Sequence, residues 1–300
     1  MPHNLPSIPI SEQVHTRCRA SGSAAAAVLG DLWTAPNPGR GAGGLLRHDS
    51  GESTEFHDQR LYTPGDDTRR INWAAYGRTR QLTLKLFRQE GRPLIDVLLD
   101  VSPSMWYPAE KAERTLELLY FILESTTSQQ AGLKIWTLSG GVATPLPTSI
   151  FSSGSAWIEQ VPAQSEGDHP LAPRHLPVRA GSRRILLSDL LFPLEPEHLT
   201  GQLAAHNGSA GIFAPWHRIE SDPGWRGGCQ LDDSESQLER EIEFDEAEHR
   251  AYRDAYRRHF GEWQDACRRW TVSLSRIPAE GKLSAALAAT PATSSPSRRF

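Results

Sequence analysis

Cysteine is scarce in this sequence. Its 300 residues hold only 3, Cys18, Cys229 and Cys267, far apart and with no CxxC pair. That spacing excludes a disulfide framework and suits a reducing compartment. Long apolar runs are missing as well: none approaches the roughly 20 residues that cross a bilayer. The N-terminal stretch MPHNLPSIPISEQVHTRCRA carries prolines where a signal peptide needs an apolar core, and AAAAVL (24–29) is too short to supply one. The chain is therefore expected to be soluble and cytoplasmic. No sign of charge dominates: 32 Lys and Arg stand against 36 Asp and Glu, a net charge of -4. A general nucleic-acid binder needs a basic excess to release counterions, so none is expected here. There is no HExxH, no GxSxG elbow and no kinase-like set. The glycine-rich GRGAGG (39–44) follows no strand and lacks the Lys-Ser/Thr of a phosphate cradle.

What is present is a core-forming composition, 38% hydrophobic with 9 Trp and 9 Phe. Residues 1–44 read as a helix and loop, with Gly22 a weak point in the helix. Residues 45–93 read as a small β-rich module, in which QLTLKLF (81–87) alternates with Leu82, Leu84 and Leu86 on one face. LIDVLL (94–99) is a nearly continuous apolar run, as a central strand covered on both faces requires. The helix that follows carries Ala112, Leu116, Leu119, Tyr120 and Leu123 on one stripe, with Pro108 at its start. RRILLSDLLFP (183–193) is a second buried strand ending in polar residues, and AGIFAPW (210–216) a third. Residues 245–270 form a long amphipathic helix with Tyr252, Tyr256, Phe260, Trp263 and Trp270 toward one side, read as core packing, and with His249 and His259 solvated. Residues 94–280 are assigned to one α/β domain with a mainly parallel sheet and flanking helices, and 281–300 to a disordered tail.

The chemistry sits where the first buried strand ends. DVSPSM places Asp100, Ser102 and Ser104 in an Asp-x-Ser-x-Ser pattern, and Asp189 ends the second buried strand. In a parallel sheet both ends face the ligand side. Two neutral hydroxyls suit direct ligation of magnesium, with manganese the alternative, while Asp100 and Asp189 accept hydrogen bonds from its waters. A metal held mainly by neutral ligands keeps an open position for a partner's carboxylate. The same residues equally suit a serine turn that caps the following helix. A second match, Asp232, Ser234 and Ser236, follows no apolar run and reads as a solvated loop or strand edge.

DVSPSM after an apolar strand resembles the metal-ion-dependent adhesion site of von Willebrand factor A-type domains. The upstream stretch EFHDQRLYTPGDDTRRINWAAYGRTRQLTLKLFRQEG resembles the signature of the bacterial "domain of unknown function 58" family. The matching residues are Arg60, Tyr62, Pro64, Gly65, Asp66, Asp67, Arg69, Ile71, Trp73, Arg80, Leu82, Lys85 and Glu90. This resemblance implies a von Willebrand A-like, Rossmann-type fold with a small N-terminal β module. It also implies a non-enzymatic protein-interaction role beside a MoxR-type AAA+ ATPase, in protein assembly or remodelling. The A-type site usually takes a Thr from a later loop, and the equivalent SEGDHPLAPRH (165–175) has none. Asp168 or His169 would stand there instead, the first making the site more negative, the second favouring a softer metal. A metal-dependent hydrolase and a structural module with a vestigial site are the alternatives.

Segment 60–92 has eight Arg or Lys against Asp66, Asp67 and Glu90. A structural network around the PGDD turn, with Trp73 packed beneath, is expected in preference to an acidic-partner surface.

Overall fold

The computed structural model describes residues 10–34, 54–63, 68, 71–89, 93–139, 141–152, 154–160, 175–206, 208–232 and 239–290. The chain divides into two units, Ala42–Arg92 and the combination of Met1–Gly41 with Pro93–Phe300. In chain order the elements are α1 (Glu12–Thr34), β1 (Thr54–Leu61), α2 (Trp73–Thr79), β2 (Thr83–Gln89), β3 (Leu94–Asp100), α3 (Ala109–Ser128), β4 (Gly132–Ser139) and β5 (Val142–Leu146). They continue with β6 (Arg183–Leu187), α4 (Pro196–Ala204), β7 (Ser209–Trp216), α5 (Arg218–Ser221), β8 (Gly227–Asp232), β9 (Glu239–Phe244), α6 (Glu246–Trp270), β10 (Ser273–Pro278) and α7 (Leu283–Ala289).

The smaller unit is an antiparallel β1–β2 hairpin with α2 inserted between its strands. The Asn72 side chain caps α2 by accepting the Ala75 N–H at 3.1 Å, and Arg80 closes it in the left-handed region at φ 57°. Ile71, Ala75 and Leu84 are buried. Leu82 lies outside the strand and is exposed. Trp73, expected beneath the PGDD turn, is 63% exposed. As the first residue of a two-turn helix it faces outward, and among the described residues its ring meets that of Tyr76 edge-on, with ring centres 6.2 Å apart. The PGDD turn, Arg69 and Arg70 lie outside the described residues.

The larger unit is built on a six-stranded sheet of order β5-β4-β3-β6-β7-β10. Five strands run parallel, and β5 closes one edge antiparallel to β4. Counted within the sheet this is the order 3-2-1-4-5-6 of doubly wound α/β folds, here in the von Willebrand A-like arrangement. Alternation along β3 sends Ile95, Val97 and Leu99 into one apolar layer, beneath α1, α3 and α7. Leu98 points into the other layer, with Leu186 and with Leu199, Phe260 and Trp263 of α4 and α6.

Three corrections follow from this layering. Helix α1 is not a separate N-terminal segment: it lies on α3, burying Cys18 and Ala25. Consequently α3 is buried nearly all round, Leu118, Phe121 and Ile122 included, and not along one stripe. The expected tail begins with α7, whose Leu283, Ala286 and Leu287 recur at helical spacing and enter the first layer. Strand β10 and the β8–β9 hairpin add to the elements expected from sequence. Asp232 of the second Asp-x-Ser-x-Ser match ends β8 opposite Glu239, while Ser234 and Ser236 lie outside the described residues. On α6, Phe260 and Trp263 are core, but Trp270 is 41% exposed and donates to Glu197 at 2.8 Å. His249 and His259 are half-buried, and each bonds a backbone carbonyl, of Trp225 and Leu190 respectively. No helix among the described residues is long and apolar enough to cross a membrane.

Candidate functional site at the carboxyl end of the sheet

Strands β3 and β6 lie side by side at the centre of the sheet, where the direction of winding reverses. A crevice at the carboxyl ends forms at such a switch point by construction. Asp100 ends β3, and Ser188 and Asp189 follow β6 directly. Asp100 is sealed from solvent. Its Oδ1 accepts the Ser102 N–H at 2.9 Å, and its Oδ2 accepts the Ser188 hydroxyl at 2.6 Å. The Leu190 N–H in turn donates to Ser188 Oγ at 3.1 Å. Ser102 opens a 3-10 turn over Pro103–Trp106, and its hydroxyl makes no capping bond to that turn. Its hydroxyl lies 3.1 Å from that of Ser104, which is half-buried.

The turn after β6 passes through Leu190 in the left-handed region, φ 64°. That geometry brings Asp189 Oδ1 within 3.0 Å of the Leu191 N–H. Asp189 Oδ2 receives Lys111 Nζ at 2.6 Å. Lys111, from the first turn of α3, also pairs with Glu220 of α5. The other oxygen of Glu220 accepts the His217 N–H at 3.0 Å, so the carboxylate that holds Lys111 also caps α5. Tyr107 and Ile219 flank these loops and are 71% and 39% exposed.

The electrostatics follow from burial. Burial first, then the neighbouring Asp189, pushes the Asp100 carboxyl up to about 7, against the opposing hydrogen bonds from Ser188 and Ser102. Burial alone would lower the Lys111 ammonium, but Asp189 and Glu220 outweigh it and hold it above the ordinary lysine range. Two carboxylates, Asp189 and Glu220, thus hold one tethered cation. Lys111 and the two acids it joins have their charges matched in part. Asp100 has no ion pair among the described residues.

The four principal residues expected from sequence, Asp100, Ser102, Ser104 and Asp189, converge at one strand edge. Asp168 and His169 lie outside the described residues. Sequence reasoning missed Ser188, Lys111 and Glu220. Lys111 had a signal: it shares the inner stripe of α3 with Thr115 and Leu118, where a lysine is out of place unless paired. Glu220 had none, because only the fold brings α5 beside α3.

A magnesium ion can be tested against this donor set. Octahedral oxygens about 2.1 Å from magnesium stand about 3 Å apart at adjacent corners, and the Ser102–Ser104 separation of 3.1 Å matches. Asp189, however, already carries the Lys111 ammonium. Among the described residues no three His, Cys, Asp or Glu side chains converge as a metal cage, so an ion here would rest on hydroxyl oxygens.

The comparisons with known proteins agree with the sequence motif. No curated protein matches this chain. One solved structure, "conserved hypothetical protein BatB from Bacteroides thetaiotaomicron", is 14% identical, covering 65% of this chain and 95% of its own, with a TM-score of 0.34. A superposition that loose carries no argument, and the fold rests on the strand order above. The model of the family described as "Protein of unknown function DUF58" matches residues 58–262. That span takes in most of the hairpin unit, the Asp100–Ser104 turn, Asp189 and most of α6, and the chain belongs to the DUF58 family.

Proposed function

We propose that this chain is a non-enzymatic protein-interaction component whose recognition site is the Asp100–Ser104 turn with Asp189. Ser102 and Ser104 would hold a magnesium or manganese ion directly, with Asp100 and Asp189 balancing its charge. Such an ion supplies an open position for a partner's carboxylate. The observation that carries this reading is Asp100: a sealed carboxylate with two hydrogen-bond donors and no ion pair among the described residues, 2.9 Å from the serine turn. Exposed Tyr107 and Ile219 beside it offer apolar surface of the kind that the core of a protein interface buries. The partner proposed is a MoxR-type AAA+ ATPase, on the family resemblance, and the process is protein assembly or remodelling.

A second reading rests on Lys111. Its bond to Asp189 places a permanent cation in the site, and the serines then serve as turn formers around a vestigial centre. Calorimetric titration of Mg2+ and Mn2+ into wild type and Ser102→Ala/Ser104→Ala separates the two. Binding that disappears in the double variant supports the first reading. Absence of binding in wild type, with capture of the ATPase unchanged by EDTA, supports the second.

A further inference from the structure

A second feature stands apart from that site, between α6 and the edge strand β10. Arg276 leaves β10 into an aromatic enclosure. Its guanidinium carbon lies 3.7 Å from the Phe260 ring centre, 5.0 Å from that of Trp216 and 5.2 Å from that of Tyr256. It donates to the Tyr256 hydroxyl, and its Nε is buried without a hydrogen-bond partner. Burial lowers its pKa, yet an arginine stays charged throughout the physiological range. Arg276 is half-buried, whereas Arg114 and Arg184, which are sealed and also have an Nε without a hydrogen-bond partner, differ in where their Nη groups go. Arg184 gives its Nη groups to the carbonyls of Leu203, Ala205 and Arg179, and Arg114 reaches those of Ala279 and Gly281. Arg276 has a phenol and no carboxylate in ion-pair contact among the described residues. The Glu220 carboxylate favours its charge without touching it, so this partly desolvated cation is only partly compensated.

Arg276 lines a cavity of about 350 Å3 together with Arg253, Arg257, Tyr256, Gln264 and Ser221. Arg253 and Arg257 are one helical turn apart on α6, so they share a face. Gly261 continues that face without a side chain, and a Cβ there would meet nothing within 4 Å. The space is therefore left open by composition. Two acids oppose the cations: Asp222 lies 3.8 Å from Arg253, and Asp254 2.5 Å from Arg257. Ser221 spends its hydroxyl hydrogen on the Arg218 carbonyl at 3.0 Å, and Arg257 gives its Nε to the Arg253 carbonyl at 3.3 Å, so the donors that face the space are the remaining guanidinium N–H groups and the Gln264 amide. Three guanidiniums around one small space match the several oxygens of a tetrahedral dianion better than the two of a carboxylate. Tyr256 and Phe260 supply an apolar wall, and the volume lies at the small end of small-molecule sites.

We propose that this cavity binds a small phosphate ester, its phosphate on Arg253, Arg257 and Arg276 and its apolar part on Tyr256 and Phe260. Nothing in this proposal depends on the metal reading. The test is calorimetric titration of the whole chain with phenyl phosphate, inorganic phosphate and acetate, in wild type, Arg253→Gln/Arg257→Gln and Arg276→Gln. Arg253 and Arg257 are 43% and 73% exposed, so the double variant keeps the fold, which circular dichroism checks. Saturable binding of phenyl phosphate, tighter than inorganic phosphate and weakened about tenfold or more in the double variant, is expected. No saturable binding of either phosphate, acetate binding as tightly, or unchanged affinity in the double variant would overturn the site. Equal affinity for inorganic and phenyl phosphate would overturn its assignment to an ester.

Discussion

Lys111 Nζ stands 2.6 Å from Asp189 Oδ2, with the two side chains 0% and 1% exposed. This bond joins the first turn of α3 to the loop after β6, and through Glu220 it also ties in α5. The desolvation cost of such a group is met only while every member is present. Lys111→Met leaves two buried carboxylates without their cation and is expected to lower stability by about 3–5 kcal/mol. Removing both charges in Lys111→Met/Asp189→Leu should recover part of that loss. Urea denaturation of the single and double variants measures it, and a double variant less stable than Lys111→Met would refute the pairing.

The Asp100 carboxyl sets a pH dependence whose sign can be worked out. An aspartate in the unfolded chain titrates near ~3.9, whereas burial and then Asp189 push Asp100 up to about 7 in the folded protein. Between these values the folded state keeps a proton that the unfolded chain has lost. The contribution of this group is therefore full below ~3.9 and is lost as pH rises through about 7. Denaturation in EDTA should show wild type losing stability across this window relative to Asp100→Asn, in which the group cannot ionise. Parallel profiles for the two proteins would contradict the assignment.

Gly22, which the sequence marks as a weak point of α1, is where two helices touch. A Cβ there would stand 2.6 Å from the Glu117 carbonyl oxygen and 2.8 Å from the Phe121 nitrogen, both backbone atoms of α3. Gly22→Ala would raise intrinsic helix propensity, but it must push the helices apart. The expected net effect is a loss of about 1–3 kcal/mol, seen as a lower denaturation midpoint. Gly77→Ala, with nothing within 4 Å of the added carbon, serves as the control and should be neutral or stabilising.

The three thiols should react in a fixed order. Cys18 and Cys267 are buried, and burial pushes both up to about 12. Cys229 lies on the β8–β9 hairpin and is only half-buried. A thiolate-selective reagent should label Cys229 alone in the native protein and all three after unfolding. Rapid native labelling of Cys18 would mean that α1 is not seated on α3 as described.

Much of this was legible beforehand because it is local. The apolar run of β3 and the helical spacing of α3 follow from periodicities of two and 3.6, although α3 is buried on more than the one stripe. The Asp-x-Ser-x-Ser turn reads directly off residues 100–104, and Asp189 follows from the matching exit of β6. Even the aspartate inside LIDVLL has its explanation only in space. Asp96 receives the Arg179 N–H and Nε at 2.8 and 2.7 Å, across a distance in chain that no window spans.

The sequence by itself determined the alternating elements, the central strand, the serine turn and the family. Folding alone reveals that Asp189 belongs to Lys111, 78 residues away, that Lys111 also holds Glu220, 109 residues away, and that Arg276 enters an aromatic cage formed by Trp216 of β7 with Tyr256 and Phe260 of α6. The physical reason is that periodicity tells which face of an element is buried and is silent on what that face meets. Buried charges make that difference largest, because a residue that reads as an error on an apolar stripe becomes stable only through a partner that folding brings to it.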